Sequence, residues 1–133
     1  MATGSAGTVA RDYHTSQTHY LKKVLAFNSA SNGAAVTVGV IPANSTVLRA
    51  SAVVTTAFNA GTNNNIVILV AGTAATGNLA GTSAGVKTDA GLGTAASTVT
   101  KPAADATVTV TYNQTATAAT AGSADIILEY ANI

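Results

Sequence analysis

The 133 residues suit one domain, and a chain of that length buries a core without help from a disulfide or a metal. There is no cysteine, which excludes a disulfide framework and thiolate metal sites, and six basic residues against five acidic ones leave no electrostatic footprint for nucleic acid or an anionic membrane. Only 8% of the residues are charged, where an ordinary soluble domain has about 25%.

Thr, Ser, Asn and Gly stand where the charges are missing. Thr is a strand former whose branched Cβ suits a pleated surface and whose hydroxyl tolerates water, so the composition predicts sheet with neutral polar faces. Low charge does little to oppose association, which suits a protein that sits against other protein. The opening MATGSAGTVARDYH lacks the basic segment and apolar stretch of a secretory signal, and the longest aliphatic run, Ile66 to Ala71, is too short for a bilayer. Synthesis in a cytoplasm without general export is therefore expected.

In chain order, residues 1–18 form a polar arm without apolar period, followed by a single β-sandwich domain over 19–133. Tyr20 to Phe27 is the first strand, and Lys22 and Lys23 on its opposite faces mark it as an edge. Asn28 to Gly33 is a loop ending in Asn-Gly. Ala34 to Ile41 alternates Val36, Val38 and Val40 with Thr37 and Gly39, the pattern of a half-buried strand. After the turn at Pro42-Ala43-Asn44, Thr46 to Ala57 is a long strand, with Leu48, Ala50, Ala52 and Val54 on one face and Arg49, Ser51 and Thr55 on the other. Phe58 to Asn65 is a loop, and Ile66 to Ala71, apolar on both faces, is a central strand. Gly72 to Lys101 predicts irregular structure with a short strand near Val86 or Val99. Ala106 to Tyr112 sets Val108, Val110 and Tyr112 against Thr107, Thr109 and Thr111. After the loop Thr115 to Ser123, Asp125 to Tyr130 faces Ile126, Leu128 and Tyr130 inward and Asp125, Ile127 and Glu129 outward. Six to eight strands with no helical period between them predict an all-β fold, a β-sandwich of jelly-roll or related type.

No catalytic site is legible, and the chain is expected to be a structural or binding part, not an enzyme, with no cofactor and no metal. His14 and His19 lie near Asp12, but their spacing fits neither one strand face nor the i, i+4 of a helical zinc motif. Asp125 and Glu129 share a strand face and read as surface charges, since no acid–base partner accompanies them. Gly91-Leu92-Gly93-Thr94-Ala95-Ala96 matches a loose dinucleotide pattern without the strand before it that the motif needs. The sequons at Asn44-Ser45-Thr46 and Asn113-Gln114-Thr115 mean little in a Thr-rich chain without an export signal. Lys22, Lys23, Lys87 and Lys101 are scattered with few aromatics between them, against nucleic-acid binding. The chain has no Trp, which speaks against a sugar platform.

Two stretches carry a resemblance. VTVGVIPANSTVLRASAVVTTAFNAGTNN runs a Val/Thr strand into a Pro-Ala turn and a long strand ending in T-A-F-N-x-G-T. ADATVTVTYNQTATAATAGSADIILEY follows a Thr/Val strand with an Ala/Thr/Gly loop and a strand ending in E-Y. Over residues 36 to 65 and 104 to 130 the chain resembles small virion proteins of tailed bacteriophages. The resemblance implies a jelly-roll-like sandwich mounted on the outer surface of a phage head as a decoration (cement) protein, often a trimer. Its partner would be the major capsid protein, its location the virion, and its place of synthesis the host cytoplasm. The family lends no catalytic residues, and the long segment from Gly72 to Lys101 departs from its compact pattern. An N-terminal arm that orders on a neighbouring subunit would use Tyr13, His14, His19 and Tyr20, since aromatic residues are enriched in interface cores. The alternatives are a tail, fibre or head-spike component and, further off, a bacterial surface or carbohydrate-binding module.

Overall fold

The computed structural model describes residues 18–88 and 100–132. Among them run nine strands: β1 Thr18–Ala26, β2 Ala35–Ile41, β3 Thr46–Thr56, β4 Asn64–Val70, β5 Thr73–Ala74, β6 Leu79–Ala80, β7 Gly85–Thr88, β8 Ala106–Gln114 and β9 Ser123–Ala131. They form two antiparallel sheets, one in the order β1-β9-β3-β7 and the other in the order β2-β8-β4-β5, with β6 beside β4. The pairing is nested. First meets last (β1 with β9), then β2 with β8, β3 with β7, and β4 with β5 and β6. One long hairpin wrapped around itself has this order, and it is the jelly roll.

The core follows from period-two alternation. Ile66, Ile68 and Val70 of β4, Val108 and Val110 of β8, and Ile126 and Leu128 of β9 are all fully buried between the sheets. Each such side chain contributes about 1.5–3 kcal/mol by leaving water. β4 is central in its sheet, as its two-sided apolar sequence predicts, with Val67 and Leu69 half-buried on the outer side. β1 lies at a sheet edge, where Lys23, in phase with the inward Leu21 and Leu25, stays exposed. An inward charge at an edge deters stray pairing. Where the edges of the two sheets meet, Gly39 of β2 lies against Leu21, and a Cβ there would come within 2.9 Å of Leu21 Cδ2.

Three sequence expectations need correction. The register of β2 on β8 shifts between Thr37 and Gly39, so the alternation changes phase, leaving Val40 exposed and Ile41 buried. A second shift, between Val47 and Arg49 on β9, turns Leu48 outward and gives its inward place to Val47. In each case one extra residue is accommodated by a bulge. The stretch from Gly72 to Thr88 is also more regular than expected, since it supplies β5, β6 and β7. β4 and β5 join through Ala71 (φ 51°) and Gly72 (φ 80°), both in the left-handed region, as a two-residue type I′ hairpin turn requires. A strand near Val86 is present as β7, whereas Val99 lies outside the described residues.

The motif T-A-F-N-x-G-T closes one end of the sandwich. Phe58 is buried against Tyr112, ring centroids 4.5 Å apart. Asn59 Oδ1 accepts from the backbone N–H groups of Thr120 and Ala121, while its Nδ2 donates to Thr120 Oγ1. Gly61 N–H donates to Thr117 O, so closely that a Cβ on Gly61 would sit 2.8 Å from Thr117 N. Buried Asn64 takes hydrogen bonds at Oδ1 from Ala60 N–H (2.9 Å) and the Tyr112 hydroxyl (2.5 Å), and Nδ2 donates to Ala60 O. Burial pushes the Tyr112 phenol above its ordinary value. These residues hold the loops 58–64 and 115–122 together at the end of the sandwich.

Candidate interaction surfaces

The two outer faces differ in kind. On the β1-β9-β3-β7 sheet, strand register aligns side chains in rows. Tyr20, Glu129 and Arg49 form one row, and Lys22, Ile127, Ser51 and Thr88 form the next. Val24, Asp125, Val53 and Val86 form a third. Arg49 donates through Nε (3.1 Å) and Nη2 (2.8 Å) to Glu129 Oε2. Lys22 Nζ lies 3.8 Å from Asp125 Oδ2, a diagonal pair across β1 and β9. Asp125 and Glu129 are therefore surface charges, as expected, each held in an ion pair. Ser51 is small and 7% exposed, whereas Tyr20 and Val86 stand 62% and 67% exposed. The difference in height leaves a depression of about 230 Å³ bounded by Tyr20, Arg49, Ser51, Val86, Thr88, Ile127 and Glu129.

Among the described residues, the outer face of the other sheet carries no charged side chain. Thr107, Thr109 and Thr111 run along β8, with Asn65, Val67 and Leu69 of β4 on one side. On the other side lie Ala35, Thr37 and Val40 of β2. Among the described residues, the Lys, Arg, Asp and Glu side chains sit on the opposite face, at sheet edges or in the 100–105 loop. Sequence alternation exposes this Thr ladder in advance. Its neutrality across three strands emerges only from the pairing.

Of the four residues expected to anchor a contact, only His19 and Tyr20 fall within the described residues. Tyr13 and His14 lie outside the described residues. His19 and Tyr20 are neighbours on β1 and so point to opposite faces. The His19 ring lies 5.5 Å from that of Tyr130 at a 30° tilt, while Tyr20 borders the depression. Among the described residues no three His, Cys, Asp or Glu side chains group as metal ligands, and no helix is long and apolar enough to cross a membrane. The loose dinucleotide pattern at 91–96 also lies outside the described residues.

No family model matches the chain, and no curated protein matches it. Among solved structures, the chain is similar to a chain of the capsid of Ralstonia phage GP4. The TM-score is 0.52 at 20% identity, over 89% of this chain and 84% of that one. At that identity the likeness shows the fold alone, the two-sheet all-β sandwich described above.

Proposed function

We propose that this chain is a structural, non-catalytic virion protein of a tailed bacteriophage that decorates the capsid by seating its uncharged β2-β8-β4 face on the outer surface of major capsid protein subunits. The observation that carries this reading is the face itself. An interface must strip water from both partners, and a charge buried there without a partner is costly. A sheet face built from Thr, Val, Leu, Ala and Asn avoids that cost. The capsid origin of the structural neighbour, together with the sequence resemblance over 36 to 65 and 104 to 130, supports the phage assignment. A trimer matches a threefold position on a capsid lattice.

Quantitative mass spectrometry of purified virions tests the reading through copy number. A decoration protein is present in numbers on the order of the lattice sites it covers, hundreds per particle. A count of a handful would overturn decoration and assign the chain to the tail, a fibre or a head spike.

A further inference from the structure

We propose that the depression on the outer face of the β1-β9-β3-β7 sheet binds a single neutral sugar ring. The opening exists because Ser51 is short where its neighbours in the row structure are long. Ser51 and half-buried Ile127 make the floor, and Tyr20, Arg49 and Val86 make the walls. Its volume of about 230 Å³ is below the ~300–1,000 Å³ of sites for drug-sized molecules, which suits one ring and not a chain.

A sugar ring is apolar on its C–H face and polar around its rim, and the depression is divided in the same way. The exposed Tyr20 ring, with Ile127 and Val86, offers apolar surface to the C–H face. Around the rim, Glu129 and Arg49 present planar groups. Both Arg49 donors meet the same carboxylate oxygen, Oε2, so Glu129 Oε1 is left to accept and Arg49 Nη1 to donate. Neighbouring ring hydroxyls, each both donor and acceptor, match such a pair, and the mutual ion pair holds both groups in place before a ligand arrives. Ser51 and Thr88 add hydroxyl groups. The preference for a neutral ring follows from charge. Arg49 is already neutralised, so among the described residues of this face a carboxylate or phosphate would meet Glu129 with no free cation to offset it; Lys22, on the same face, is paired with Asp125.

The site lies on the sheet opposite the proposed capsid-binding face, and its test does not depend on that reading. The experiment is NMR titration of the purified full chain with glucose, galactose, mannose, rhamnose and N-acetylglucosamine, each singly, and with glucuronic acid for charge. The expected result is saturable shifts of the Tyr20 ring and of the Ser51 and Thr88 amides with at least one neutral sugar. Affinity should lie in about the millimolar range, as befits a small ligand gripped from one side. Tyr20→Ala and Glu129→Gln should each weaken it by about tenfold or more, with glucuronic acid binding less tightly than glucose. If Tyr20→Ala fails to fold, Glu129→Gln decides alone. The proposal is overturned if none of the neutral sugars shifts these signals saturably, or if both variants bind as well as the parent. No sugar response combined with burial of Tyr20 on capsid binding would also overturn it, by showing a protein side chain to be the occupant.

Discussion

Replacing Gly122 by alanine drives a methyl carbon into the ring of Phe58. An ideal Cβ on Gly122 would lie 2.3 Å from Phe58 Cδ2 and 2.5 Å from Cγ. The ring has nowhere to go, since Tyr112 packs against it and Gly81 approaches its other edge so closely that a Cβ there would be 3.0 Å from Cδ1. Gly122 also has φ +146°, a conformation that side-chain-bearing residues rarely adopt. Overpacking costs about 1–3 kcal/mol and the backbone strain about 1–3 kcal/mol, so a loss of about 3–5 kcal/mol is expected. An unfolding entropy of about 2.1 cal/mol/K per residue gives about 0.28 kcal/mol/K for a chain of this length, hence a fall in Tm of about 11–18 °C. Thermal and urea unfolding followed by circular dichroism measure it. In a Phe58→Ala background the clash is gone, and the second substitution should cost only the backbone share. A fall of less than about 4 °C in the parent background, or full additivity with Phe58→Ala, would refute the reasoning.

Four further outcomes follow from the same structure. Asn64→Ala strands the buried Tyr112 hydroxyl and both Ala60 backbone groups, and should cost about 2–4 kcal/mol in urea unfolding, against about 1 kcal/mol for Tyr112→Phe, which leaves Asn64 Oδ1 one donor. Because burial raises the Tyr112 pKa above 10.0, the unfolded chain loses that proton first; stability should be intact below pH 10 and decline as pH rises toward the folded value, less so in Tyr112→Phe. Ala71→Asn places a residue suited to positive φ in the β4–β5 turn and should raise stability by about 0.5–1 kcal/mol, read as a higher Tm. Ser45 Oγ is buried without a partner among the described residues, so Ser45→Ala should leave stability unchanged or raise it by up to about 1 kcal/mol in the same assay.

Alternation makes β8 and β9 legible, because each has one apolar face whose period matches the pleat along most of its length, and a short run apolar on both faces marks β4 as central. The inward sets Val108–Val110–Tyr112 and Ile126–Leu128 are read directly from it. What was hidden depends on partners. The bulges that expose Val40 and Leu48 are set by the register of β2 on β8 and of β3 on β9, which no local pattern encodes. β5 and β6 have two residues each, too few for any period. The β4–β5 hairpin turn uses Ala-Gly where Asn-Gly would have signalled it. The candidate surfaces were legible only in part. Tyr20 stands out for its scarcity, but the row that joins it to Glu129 and Arg49 crosses three strands, and Glu129 lies 80 or more positions along the chain from both. The motif T-A-F-N-x-G-T carried the resemblance, yet its side chains serve the end of the sandwich.

The central claim, that the neutral β2-β8-β4 face seats on a capsid, is tested most directly at Thr109. This residue lies mid-face on β8, paired with Thr37 on one side and Leu69 on the other. Thr109→Lys adds one charge to the face while leaving the core untouched. Co-sedimentation with phage heads lacking the chain compares it with the parent at matched Tm. The account predicts that the parent binds and that Thr109→Lys, still folded, does not. Binding of Thr109→Lys equal to that of the parent, with loss of binding in Val86→Lys on the opposite sheet, would contradict it.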